Sequence, residues 1–118
     1  MTGETWSCRV SAPDCVKGAT APKTIFFGLV ALRQLPGGRT AYLLRTVDQQ
    51  LRNRIILRIL HGRTEIAKLD LAPPLSTDNF EGLAAARRGA VIRFYMVSDD
   101  NSAAHQRTLL FAFDWRPR

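Results

Sequence analysis

The sequence predicts a mainly β (α+β) domain, an antiparallel sandwich or flattened barrel of about seven strands with one short covering helix. Three observations predict it. Short runs of alternating or continuous apolar residues recur along the chain. Gly, Pro, Asn, Asp and Ser fill the gaps between them. Only the segment 79–88 carries both the apolar spacing and the end signals of a helix. At 118 residues the chain makes one domain, and a domain of that size buries roughly two-thirds of its unfolded surface.

Thr5 to Val10 alternates Trp6, Cys8 and Val10 with polar neighbours and predicts a first strand. Residues 11–23, SAPDCVKGATAPK, have the composition of a loop. Thr24 to Val47 follows as two apolar runs around Pro36-Gly37, a β-hairpin with Pro preset at the first central position and Gly taking positive φ at the second. Counting outward from that two-residue turn pairs Arg33 with Thr40, Ala31 with Tyr42, Leu29 with Leu44, and Gly28 with Arg45. Both faces of this hairpin are largely apolar, so it belongs at the centre, covered on both sides. Asn53–Leu60 presents Ile55, Leu57 and Ile59 on one face, and His61-Gly62-Arg63 turns the chain into Thr64–Leu71, which Pro73-Pro74 ends.

For the helix over 79–88, Asp78 is the N-cap and Glu81 completes a capping box. Phe80, Leu83 and Ala84 form its stripe, and Arg87, Arg88 and Gly89 close its end. Packed on the sheet, its Phe80/Leu83 side covers one face of the central hairpin. Val91–Val97 and Thr108–Trp115 are the last strands, joined by the loop SDDNSAAHQR. In the final strand Leu109, Phe111, Phe113 and Trp115 alternate toward the core.

Charge is the unusual feature. The net charge is +7, and of the 17 basic residues only Lys17, Lys23 and Lys68 are not arginine. Arginine's planar fork suits phosphates and carboxylates, which points to an anionic partner; a GC-rich genome encoding Arg in place of Lys gives the same composition. Arg45, Arg54, Arg58 and Arg93 fall in predicted strands, where a basic stripe on one sheet face would track a phosphate backbone, with Tyr42, Phe94 or Tyr95 to stack on. The alternative is a solvated face on which the arginine stems cover apolar neighbours.

No motif nominates a catalytic residue, and no cofactor is expected. His61 and His105 fall in predicted turns with no nucleophile elbow, and Asp99-Asp100-Asn101-Ser102 lacks the ligand alternation of a calcium loop and reads as a turn. Cys8 and Cys15 enclose six residues. They form a disulfide in an oxidising compartment and free thiols in a reducing one, and no further Cys/His pair completes a zinc site. The longest apolar run, Ile25–Leu32, is far short of the ~20 residues that span a bilayer, so no membrane span is expected. No signal peptide is visible in MTGETWSC, which leaves an exported or periplasmic site for a chain whose leader was removed and a cytoplasmic one otherwise.

Taken together, Trp6 with Cys8 and Cys15, then VALRQLPGGRTAYLLR, IILRILHGRTEIAKLDL, NFEGLAAARRGAVIRF and the closing LLFAF resemble the invasion-associated locus B family, small exported β-rich proteins. The chain departs from that pattern in lacking a second cysteine pair before the predicted helix. The resemblance implies a periplasmic or exported protein without catalytic residues. With no catalytic motif and abundant strand-forming sequence, the function expected is a non-catalytic β-rich interaction or structural protein with a protein partner or an envelope role. The alternatives are a basic nucleic-acid or polyanion-binding domain, and a virion or assembly component that self-associates through its sheet edges.

Overall fold

A computed structural model describes residues 4–11, 14–18, 20–22, 24, 26–47, 49–50, 52–71, 79–99 and 108–118. Nine strands run in order: β1 (Trp6–Cys8), β2 (Cys15–Lys17), β3 (Gly28–Leu35), β4 (Arg39–Val47), β5 (Asn53–His61), β6 (Thr64–Leu71), β7 (Phe80–Arg88), β8 (Val91–Ser98) and β9 (Leu110–Trp115). All neighbours are antiparallel. β1 and β2 form a small ribbon, β3-β4-β5-β6 one sheet and β7-β8-β9 another. The two larger sheets pack face to face as a sandwich, with no closed barrel.

The core lies between them. Leu43, Ile55, Leu57 and Ile59 from the four-stranded sheet meet Phe80, Ile92, Phe94 and Met96 from the other, all buried. Phe94 stacks on Phe113 with centroids 5.3 Å apart, and Phe111 extends this aromatic column to Phe80. The alternation in β9 that the sequence predicts is the inward face of this layer: Phe111, Phe113 and Trp115 are half-buried, and Leu110, Ala112 and Asp114 are exposed.

The predicted helix over 79–88 is a strand. β7 pairs with β8 through Leu83–Met96 and Ala85–Phe94, and the described residues contain no helix. The reason is a bulge. Phe80 opposes Ser98 and Gly82 opposes Val97, so Glu81 is an extra residue on β7. That one insertion puts Phe80 and Leu83 on the same inward face, the i, i+3 spacing that mimics a helical stripe. Gly89, expected as a helix stop, has φ +59° at the first position of the β7–β8 turn, as a type II′ hairpin requires. Asp78, the supposed N-cap, lies outside the described residues.

The central hairpin forms with a different turn. Leu35 opposes Arg39, which makes a three-residue connection with Gly37 at φ +80° and Gly38 at +71°. Near the turn the register is one residue off the two-residue expectation, so Arg33 meets Ala41. A shift at Val30 then restores it, and Leu29 faces Leu44 and Gly28 faces Arg45. Of the hairpin expected at the centre, β4 is central and buried on both faces, but β3 is the edge of its sheet and leaves Leu29 and Leu32 exposed. With Phe80 and Leu83 in the inter-sheet core, the outer face is covered instead by the preceding segment, where Ala21 packs with Tyr42 and Leu60. The stretch 11–23, expected to be a loop, contains β2.

Candidate binding site

The four arginines singled out in the sequence do not form one stripe. Arg54 and Arg58 project from the outer face of the four-stranded sheet, Arg45 from its inner side and Arg93 from the outer face of the other sheet. Each meets a carboxylate. Arg54 donates to both Asp70 oxygens from the neighbouring strand, at 2.9 and 3.3 Å, and lies over the Phe27 ring. Arg58 pairs with Glu65 and donates to the Thr24 hydroxyl at 3.1 Å. Arg93 forms a two-pronged pair with Asp114 directly opposite on β9, at 2.7 and 2.9 Å. Arg45, a charged residue on the inner side of the apolar hairpin, reaches Glu81 at 3.5 Å and so links the two sheets. Glu81 is the extra residue of the β7 bulge.

Two of these pairs hold their carboxylates ionised. The Arg54 hydrogen bonds hold the Asp70 carboxyl below the ordinary carboxylate range, and Arg93 does the same for Asp114. Each guanidinium is pushed higher still by the carboxylate it faces. Of the expected stacking rings, Tyr42 and Phe94 are buried, and only Tyr95 is half-exposed.

A different basic cluster arises from the topology. The β3–β4, β5–β6 and β7–β8 turns and the tail after β9 all reach the same end of the sandwich, because Arg39 opposes His61 and Ile92 opposes Trp115. Arg39, Arg87 and Arg118 border concavities at that end, and Arg63 and Arg116 belong to the β5–β6 turn and the tail that reach it. Among the described residues none of these five is ion-paired. Two concavities share Arg39 and Pro117: one is bordered also by His61, Ile66 and Arg118, the other by Arg87, Gly89 and Ala90. Arg39 is braced for this position. Its Nε donates to the Pro36 carbonyl at 2.8 Å, and its guanidinium lies 5.4 Å from the centre of the Trp115 ring. Sequence separation hides this cluster; the turn signals around Gly37, Gly62 and Gly89, each flanked by arginine, are the trace it leaves.

His61 stands exposed at this end and, among the described residues, bonds to no hydroxyl, thiol or carboxylate. His105 and residues 100–102 of the acidic turn lie outside the described residues. Among the described residues no three His, Cys, Asp or Glu side chains gather as metal ligands, and no helix is long and apolar enough to cross a membrane. Cys8 and Cys15 face each other across the β1–β2 ladder with their sulfurs at disulfide distance. Comparison with protein-family models, curated proteins and solved structures finds no match to this chain.

Proposed function

We propose that this protein is a non-catalytic binding domain that takes a phosphate-bearing polyanion at the turn end of its sandwich. One observation carries the reading: the face arginines are satisfied by carboxylates, and the five at the turn end are not. Cations gathered from several hairpins without carboxylate partners repel one another, and an anionic partner relieves that repulsion. An exported setting, implied by the resemblance to the invasion-associated locus B family, belongs to the same proposal. It is supported by the Cys8–Cys15 pair, a bridge that persists in oxidising compartments.

The test is binding of a fluorescent single-stranded oligonucleotide across a salt series. Neutralising phosphates with five arginines gives a log K against log salt slope near −3.5, hence about a hundred-fold weakening between 50 and 200 mM salt. Arg63→Gln and Arg87→Gln each flatten the slope by about 0.7, whereas Arg54→Gln on the sheet face leaves it unchanged. Absence of binding at 50 mM salt, or a slope indifferent to Arg63 and Arg87, overturns the reading.

A further inference from the structure

The two sheets approach each other along β3 and β7 and part along the opposite side, where β6 and β9 are each the last strand of a sheet. Between those two edges lies an apolar cleft of about 180 Å³. Leu57, Ile59, Ala67 and Leu69 wall it on one side, and Phe113 and Trp115 on the other. Lys68 and Asp114, whose side chains belong to the outer faces, also border it, so the cleft opens along the strand edges. Its wall ends at Trp115, the ring on which Arg39 rests. Beyond that stack is the concavity of Arg39, His61, Ile66 and Arg118. One end of the apolar slot is therefore a ring that also carries a guanidinium.

We infer that this slot binds the chain of a free, medium-length alkyl carboxylate, with its head group on Arg39. Size and charge select that class. At about 30 Å³ for each methylene-sized group, the slot takes roughly six of them, well short of a long lipid tail. Its walls are apolar, Lys68 and Asp114 stand only at its border with Asp114 already held by Arg93, and the Arg39 guanidinium stacked on Trp115 suits a carboxylate. The chain site lies between the sheets and does not depend on the polyanion reading, although both use Arg39.

The experiment follows Trp115 fluorescence in a Trp6→Phe background while straight-chain carboxylates from butanoate to decanoate are titrated. Each added methylene tightens binding about four-fold until the slot is filled, and the gain then stops. Ala67→Phe fills the slot and abolishes octanoate binding while the oligonucleotide still binds with its salt slope intact. Arg39→Gln weakens octanoate and leaves octanol unchanged, which separates a head-group contact from a packing defect. The inference fails if octanoate produces no change below its micelle concentration, or if butanoate and octanoate bind alike. It also fails if the protein sediments with phosphatidylglycerol vesicles but ignores the free acid, which would place the chain in a bilayer. In the protein without the Ala67 substitution, oligonucleotide binding with no octanoate binding removes only this site, and the reverse removes only the polyanion reading.

Discussion

Replacing Ala84 and Ala86 together by threonine separates the strand β7 from the helix that its local sequence resembles. Both alanines are exposed on the outer face of the three-stranded sheet, opposite Tyr95 and Arg93. In a helix each Ala→Thr change costs about 0.7 kcal/mol, because the branched side chain loses rotamer freedom against the preceding turn. The pair would then lower the melting temperature by about 6 °C, taking an unfolding entropy of ~2.1 cal/mol/K for each residue. In a strand the sign reverses. A β-branched residue opposite Tyr95 forms a favourable cross-strand pair, and a threonine opposite Arg93 covers the arginine stem. Because β7 is the last strand of its sheet, the gain sits near the low end, about 1 kcal/mol for the pair and a rise of about 4 °C. Thermal unfolding followed by circular dichroism reads the shift. A fall of several degrees would refute the strand assignment and the bulge argument with it.

Two more predictions concern the ion pairs and the small ribbon. Asp70 and Asp114 titrate lower in the folded chain than in the unfolded one, so their contribution is complete above the ordinary carboxylate range near pH 4. It disappears as the pH falls through their depressed folded values; melting temperature measured from pH 6 to 2.5 shows a decline that Asp70→Asn makes shallower. Strands β1 and β2 are exposed along their whole length, so reducing Cys8–Cys15 frees the ribbon without opening the sandwich core. Amide exchange then rises at residues 6–8 and 15–17, while the global melting temperature moves by less than about 3 °C.

Much of the fold was legible because strand patterns are local. The alternation of Phe111, Phe113 and Trp115, the core face of Ile55, Leu57 and Ile59, and the two-sided apolar character of β4 all follow from residues close in sequence. The misreadings share a cause. One extra residue at Glu81 turned a period of two into an apparent i, i+3 stripe, and Gly38 joined a turn that seemed complete with Pro36-Gly37. A bulge or a longer turn costs little in composition yet shifts the residues beyond it until a second irregularity, as at Val30, cancels the first.

By itself, then, the sequence determined that this is an antiparallel β domain with a heavily cationic surface. Those properties need only local periodicity and a sum of charges. Tertiary structure decided which arginines are spent on structure and which remain for a partner. Arg45, Arg54, Arg58 and Arg93 are answered by carboxylates brought across a ladder or between sheets. Arg39, Arg63, Arg87 and Arg116 are gathered at one end only because successive hairpins return there. The slot beside β6 and β9 has the same origin, since an opening between two sheets exists only once both edges are in place. Ion pairs of this kind and clefts are properties of distances, and distances across a sandwich are set by the packing of its core rather than by spacing along the chain.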